Sequence, residues 1–291
     1  MDAGTFLERL KNQSFFADQV VHVREMPERP PVYQDVEGGL SGPVAATLER
    51  LGITTLYSHQ ANAINRVRAG SHIVIVTSTA SGKTLCYTIP LLETLLESPS
   101  ATALCLYPTK ALAQDQLRGL TRLQQHDLGI DFMAGTYDGD TPQNLRRKIR
   151  DGGNIILTNP DMLHQGILPQ HARWNRFFTN LKYVVLDEVH AYRGVFGSHL
   201  ANVMRRLARI CRHYGSEPQF ICSSATIANP KEHAERICGR QMDLVDNDGS
   251  PRGPKRFVLW NPPPLTTAAS GSAGNWRVGG DRRSPLGEAV H

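Results

Sequence analysis

Ile73-Val74-Ile75-Val76-Thr77-Ser78-Thr79-Ala80-Ser81-Gly82-Lys83-Thr84-Leu85-Cys86-Tyr87-Thr88-Ile89 decides how this chain is read. Four β-branched residues in a row, with no polar alternation, describe a strand buried on both faces, as in a parallel sheet covered by helices. Small hydroxyl residues and one glycine follow, then a helix-capable segment. That strand, loop, helix order is what a phosphate loop requires. Successive backbone N–H groups surround the phosphates at a helix N-terminus, Lys83 reaches the β/γ-phosphates, and the Thr84 hydroxyl can ligate Mg²⁺. Gly82 lets the backbone approach closely. The candidate nucleotide contacts here are Thr79, Ala80, Ser81, Gly82, Lys83 and Thr84. The strict pattern opens on glycine and this one opens on Thr77, so the segment alone also fits a polar turn with a surface lysine.

Working outward, the same rhythm recurs. Strands are predicted at His72 to Val76, Ala103 to Tyr107, Phe132 to Gly135, Asn154 to Leu157, Tyr183 to Leu186 and Gln219 to Cys222, most of them followed by a helical pattern. Alternation of this kind predicts an α/β fold with a mostly parallel sheet and helices on both faces. After Gly197, Leu200, Val203, Met204, Leu207, Ile210 and Cys211 share one helical face, and Arg205, Arg206, Arg209 and Arg212 are mostly elsewhere. The α/β pattern occupies residues 41–262. Residues 1–40 form an N-terminal lead-in, with a short amphipathic pattern at Phe6, Leu7 and Leu10 and then the proline-bearing run Pro27 to Pro31, which should be extended, and 263–291 read as a linker rich in Thr, Ala, Ser and Gly that ends at the start of a second domain.

A second carboxylate-bearing turn joins the first signal. Tyr183-Val184-Val185-Leu186 leads into Asp187-Glu188-Val189-His190, about a hundred residues beyond the loop. In this arrangement Asp187 would hold the Mg²⁺ that bridges the phosphates, and Glu188 would orient and deprotonate the attacking water. Ser223-Ser224-Ala225-Thr226 ends a third strand, and strand ends of an open parallel sheet share one crevice. Alone, a Ser/Thr cluster is also a helix cap or turn.

Composition narrows the setting. With 40% hydrophobic and 20% charged residues the chain is ordinary globular material, and its net charge of +5 suits a polyanionic partner without requiring one. Cys86, Cys105, Cys211, Cys222 and Cys238 are scattered without zinc-site spacing, so buried free thiols in a reducing cytoplasm are expected. Neither a membrane span nor a signal-peptide layout is present, which places the protein in the cytoplasm.

Taken together, these residues resemble the first RecA-like domain of a superfamily 2 DEAD/DEAH-box helicase. The loop corresponds to motif I, Asp187-Glu188-Val189-His190 to motif II, with His190 as its last member, and Ser223-Ser224-Ala225-Thr226 to motif III, the coupling element. The resemblance implies a RecA-like P-loop NTPase fold with ATP and Mg²⁺ as cofactors. Leu56-Tyr57-Ser58-His59-Gln60 is similar to the Q motif, in which Gln60 would read the adenine edge; Tyr57 packs nearby or is a core aromatic. Tyr107-Pro108-Thr109-Lys110-Ala111-Leu112-Ala113-Gln114 resembles motif Ia, and Thr158-Asn159-Pro160-Asp161 motif Ib. Tyr137-Asp138-Gly139-Asp140-Thr141 resembles the element between them. By that resemblance Pro108, Thr109, Lys110, Gln114, Asp140, Thr141, Thr158, Asn159 and Pro160 face a nucleic-acid backbone. Hydroxyl residues at strand-to-helix turns suit that role, since helix N-termini bind phosphates without reading bases, and each is equally a helix cap.

The Q-motif-like segment, Tyr137 to Thr141, and Tyr192-Arg193-Gly194-Val195-Phe196-Gly197-Ser198-His199 are most similar to the mitomycin-repair-type helicases of bacteria and their fungal RecQ-like relatives. What this implies is a 3′ to 5′ DNA helicase acting in repair; DNA rather than RNA rests on the resemblance alone. Arg193 is either a structural cap or a strand contact. Helicases of this superfamily place ATP between two RecA-like domains, and the second supplies arginines to the transferring phosphate. Here Arg282-Arg283-Ser284-Pro285 resembles only the approach to it, so a second domain lost by truncation or supplied separately is expected. A missing arginine finger costs on the order of 10³ to 10⁵ in hydrolysis. The chain by itself is therefore expected to bind Mg-ATP weakly and not to unwind. The competing reading is a non-motor ATP- or nucleic-acid-binding module. A P-loop kinase or GTPase is disfavoured by Gln60 and by the lack of an Asn-Lys-x-Asp motif.

Overall fold

The computed structural model describes residues 3–14, 16, 18–126 and 128–261. The segment 263–291, read above as a linker and the start of a second domain, lies outside them. In chain order the strands are β1 (Val20–Met26), β2 (Ile73–Val76), β3 (Thr102–Leu106), β4 (Ala134–Thr136), β5 (Ile155–Thr158), β6 (Leu181–Leu186), β7 (Gln219–Ser224), β8 (Asp243–Val245) and β9 (Lys255–Trp260). The helices are α1 (Ala3–Lys11), α2 (Gly42–Arg50), α3 (Ser58–Arg68), α4 (Lys83–Glu97), α5 (Lys110–Gln125), α6 (Gln143–Gly152), α7 (Pro160–Met162), α8 (Asn175–Thr179), α9 (Gly194–His213) and α10 (Pro230–Cys238). Two compact units result, Pro31–Ser250 and a smaller one made of Met1–Pro30 with Pro251–His291.

The larger unit is built on a seven-stranded sheet in the order β4-β5-β3-β6-β7-β2-β8, parallel throughout. Its central strands are buried on both faces, which is why they read as continuous apolar runs. Alternate residues feed two cores. Ile73, Ile75, Ala103, Cys105, Ile155, Leu157, Val185 and Ile221 pack with residues of α2, α3, α4 and α5. Val74, Val76, Leu104, Leu106, Ile156, Val184, Leu186, Phe220 and Cys222 pack with residues of α9, α10 and the helical stretch between β5 and β6. The predicted face of α9 is the buried one, with Ile210 half-buried and Arg205, Arg209 and Arg212 exposed.

Three departures from the sequence reading have physical causes. β7 runs on to Ser224, so the first two serines of the Ser-Ser-Ala-Thr run are strand residues. They pair in register with Ile75 and Val76 of β2, and the backbone ladder is indifferent to a small polar side chain. In the lead-in, α1 covers the amphipathic Phe6, Leu7 and Leu10, and β1 lies where no strand is predicted. β1 pairs antiparallel with β9, and no local pattern announces a strand whose partner is so distant in sequence. β8, only three residues long and opening on Asp243, also carries no sequence signal.

Candidate nucleotide and nucleic-acid site

The strand order sorts the chemistry. Reading from β2 towards β4, the turns at the C-terminal strand ends are the phosphate loop after β2, Ala225 after β7, Asp187 after β6, Tyr107 after β3, Asn159 after β5 and Tyr137 after β4. The nucleotide candidates occupy one half of this edge and the nucleic-acid candidates the other, with the Ser223–Thr226 run between the loop and the carboxylates. Strands lie about 4.8 Å apart, so two steps separate β2 from β6, about a triphosphate's reach.

In the phosphate loop two residues hold left-handed backbone, Ala80 at φ 60° and Gly82 at φ 78°. Gly82 also meets Gln60: a Cβ there would come within 2.5 Å of the Gln60 amide nitrogen. The Gln60 side chain accepts from the Tyr57 N–H at 2.9 Å and donates to the Gly82 carbonyl at 3.0 Å, tying the start of α3 to the loop. Thr77 and Ser81 hydroxyls bond across the loop at 2.6 Å. Lys83 folds back to donate to the loop's own carbonyls, Thr77 at 3.1 Å and Ser78 at 2.8 Å. Thr79 and Ala80 form the exposed rim.

Asp187 is buried and surrounded by donors: the Ser223 hydroxyl, the Tyr87 hydroxyl at 3.2 Å and the Glu188 N–H at 2.9 Å. Tyr87 in turn bonds Thr84, so Thr84 and Asp187 lie to either side of one hydroxyl. Burial, reinforced by the Asp187 charge, pushes the Tyr87 phenol well above its ordinary pKa, so it stays a donor. Glu188 occupies left-handed backbone, φ 54° and ψ 45°, a conformation costly for a residue with a Cβ. Its carboxylate lies 3.0 Å from His190 Nδ1, the same nitrogen that accepts the Ala225 N–H at 3.1 Å. One nitrogen cannot hold a proton towards Glu188 and a lone pair towards Ala225 together. The two contacts of this nitrogen are therefore alternatives. Ser224 donates to Ala225 O at 2.7 Å, and Thr226 is exposed.

On the other half, Thr109 caps α5 by accepting the Leu112 N–H, and Asn159 caps α7 by accepting the Met162 N–H. Lys110 and Asp140, both exposed, pair at 2.6 Å, and Gln114 donates to Thr136 Oγ1 at 2.9 Å. Thr141 and Thr158 are buried. Their hydroxyls donate to Thr136 O at 3.0 Å and Tyr137 O at 2.5 Å, so both shape the turns from within. Pro160 is buried and Pro108 half-buried beside them. Sequence reasoning missed Arg146, which donates to the carbonyls of Asp138 and Gly139 and stacks over Tyr137. It also missed Tyr87, His59 and Asp248; only the fold brings these to the site. Tyr192 is a core residue, and Arg193 takes the N-cap position of α9 without a side-chain capping bond. Gly197 is required there, since a Cβ would meet the Tyr192 carbonyl at 2.5 Å.

Comparison with known proteins gives the family to which the chain is similar. The DEAD/DEAH box helicase family model matches residues 57–233. The ATP-dependent helicase YprA of Bacillus subtilis is 50% identical over 260 residues, covering 88% of this chain and 35% of that protein. The ATP-dependent helicase HRQ1 of Saccharomyces cerevisiae is 43% identical over 263 residues, 89% of this chain and 24% of that protein. A crystal structure of the DUF1998 helicase MrfA bound to DNA superposes with a TM-score of 0.86 at 48% identity, over 91% of this chain and 37% of that one. The chain thus spans between 24% and 37% of the length of these relatives.

Proposed function

The chain belongs to the DEAD/DEAH box helicase family, and from that premise we propose that its first RecA-like domain binds and hydrolyses Mg-ATP and tracks along DNA. The observation that carries this is the sheet order, which puts Lys83, Ser223 and Asp187 on adjacent strand ends and Thr109 and Asn159 on the next ones. Lys83 leaves its loop carbonyls for the β/γ-phosphates, Thr79 to Thr84 cradle them, and Gln60 reads the adenine edge. Glu188 orients and deprotonates the attacking water, held by its strained backbone and by His190. Ser223 links that turn to its neighbour through Asp187.

The donor set fits a hard divalent cation. Thr84 and Asp187 share the Tyr87 hydroxyl, and among the described residues no three or more His, Cys, Asp or Glu side chains form a complete cage. Mg²⁺, which keeps several waters and phosphate oxygens in its shell, suits one carboxylate and one hydroxyl. When bound it supplies charge neutralisation to the phosphates.

Pro108, Thr109, Lys110 and Gln114, with Asp140 holding Lys110 and the turns shaped by Thr141, Thr158, Asn159 and Pro160, face the strand backbone. DNA is supported by the MrfA complex, a DNA-bound structure, and by the Hel308 relatives, which are DNA helicases. Polarity from 3′ to 5′ and a place in DNA repair rest on the resemblance. Among the described residues no helix is long and apolar enough to cross a membrane. For the 291-residue chain assayed alone we infer slow hydrolysis without strand separation.

The test is ATP hydrolysis with and without single-stranded DNA. Stimulation by DNA, lost in Lys83→Ala and Glu188→Gln and absent with GTP, is the expected result. Hydrolysis indifferent to Glu188→Gln overturns the assignment, and ATP binding without any stimulation favours a non-motor binding module.

A further inference from the structure

The turn after β8, Asp246 to Ser250, is too far along the chain to belong to any motif read above, yet it reaches both ends of the phosphate loop. At the near end the Asp248 carboxylate accepts from the Ser78 N–H at 3.1 Å and the Ser78 hydroxyl at 2.8 Å. It is itself shaped by the Ser250 N–H at 3.0 Å and hydroxyl at 2.6 Å. Partial burial pushes the Asp248 carboxyl upward, but the bonds from Ser250 and Ser78 outweigh it and hold the group well below the usual carboxylate range. At the far end the fully buried His59 ring accepts the Gly249 N–H at Nδ1, 3.2 Å away, and through Nε2 donates to Ser81 O at 3.0 Å. Gly249 has no room for a side chain, since a Cβ would lie 2.6 Å from Val32 O and 2.9 Å from Ser58 N.

Peptide planarity turns these contacts into aim. Across a trans peptide the C=O and the following N–H point in opposite directions. Pinning Ser81 O with His59 therefore directs the Gly82 N–H away from His59, and pinning Gly82 O with Gln60 directs the Lys83 N–H away from Gln60. Neither N–H has a hydrogen-bond partner among the described residues. Both are free donors at the start of α4, a helix of 15 residues. At the near end the same geometry holds the Thr77 O, across the peptide from Ser78 N–H, towards Lys83, which bonds it at 3.1 Å.

We propose that His59 and Asp248 are positioning residues for the phosphate loop, the turn at 246–250 bracing it from both ends so that its N–H groups are aimed at phosphate before nucleotide arrives. This rests on the reading of Thr77 to Thr84 as the ATP site, gives a role to His59 beside the motif glutamine, and adds Asp248, which no motif supplies. A loop without the brace samples other peptide orientations, and apparent affinity falls in proportion to the competent fraction.

The experiment is titration of ATP and of AMP into the full 291-residue chain and its variants, with thermal melting as a fold control. His59→Ala and Asp248→Ala are each expected to weaken ATP binding about tenfold, with AMP binding changed less than twofold. His59→Gln, which keeps a donor and an acceptor, and Asp248→Asn, which keeps the acceptor for Ser78, are expected to recover most of the loss. Asp248 is half-buried on the surface, so its variants report even if His59→Ala fails to fold. Unchanged ATP affinity in Asp248→Ala, equal weakening of AMP, or no recovery in the conservative variants overturns the brace. Lys83→Ala separates the two claims: if it binds ATP like the unaltered chain, the loop reading has failed, whereas its loss of binding beside an unaffected Asp248→Ala sinks the brace alone.

Discussion

Replacing Glu188 by glycine and, separately, by glutamine distinguishes a strained functional residue from a turn residue that happens to be acidic. At φ 54° and ψ 45° a side-chain-bearing residue costs roughly 1–2 kcal/mol relative to glycine. Glycine gives that back but adds unfolded-chain entropy, roughly 0.4–1 kcal/mol. The carboxylate's contact with His190 is 3.0 Å long and partly exposed, and its loss costs about 0.5 kcal/mol at most. The terms leave Glu188→Gly between about 0.5 kcal/mol less stable and about 1.6 kcal/mol more stable, a melting shift between a fall of about 2 °C and a rise of about 6 °C for a domain of this size. Glu188→Gln keeps the strain and the shape and should melt like the unaltered chain. Both should lose roughly 10²- to 10⁴-fold in single-turnover ATP hydrolysis with protein in excess, while still binding ATP, because a positioned base contributes that much. A fall in melting temperature of more than about 4 °C in the glycine variant would show that the left-handed turn is not strained. Undiminished hydrolysis in either variant would show that Glu188 is not the base.

Further outcomes follow from particular contacts. Lys110 is paired with the exposed Asp140, whose hydrogen bond and charge raise the lysine's pKa. Lys110→Ala should flatten the log-log salt dependence of single-strand binding by about 0.7, the share of one phosphate contact, and Asp140→Asn, which frees the lysine, should tighten binding at low salt. Glu93 takes two bonds from Arg68, at 2.6 and 3.0 Å, and a third from the Ser41 N–H. Since Arg68 retains bonds to Glu37 O and Gly39 O, Glu93→Ala should cost about 2 kcal/mol, read as a melting temperature lower by roughly 4–8 °C. Burial pushes the Cys86 and Cys105 thiols up to about 12. Folded pKa values above the unfolded ones mean that the unfolded chain binds fewer protons between about pH 9 and 12. Stability should then fall as pH rises through that window, by about 1.4 kcal/mol per pH unit for each thiol. The same two thiols should resist alkylation at pH 8 until denaturant is added.

Residues whose function depends on their immediate neighbours were the legible ones. The runs Ile73-Val74-Ile75-Val76 and Tyr183-Val184-Val185-Leu186 announce double burial, and double burial implies a parallel sheet whose strand ends converge. From this the joint placement of Lys83, Asp187 and Ser223 follows, and the structure brings Ser223 onto Asp187 by a direct hydrogen bond. Thr109 and Asn159 were legible in both of their readings, and each is in fact a helix cap at the edge where a strand backbone would lie. What the sequence concealed depends on partners distant along the chain. His59 looks like any residue beside a glutamine until Gly249 is packed against it, and Asp248 looks like a loop acid until Ser78 arrives. The β1–β9 ribbon is hidden for the same reason: each strand is half-exposed and neither is stable without the other. The Thr77 departure from the strict loop pattern belongs here too. Thr77 contributes its hydroxyl to Ser81 and its carbonyl to Lys83, so the residue that made the loop look irregular is part of the internal bonding that holds it.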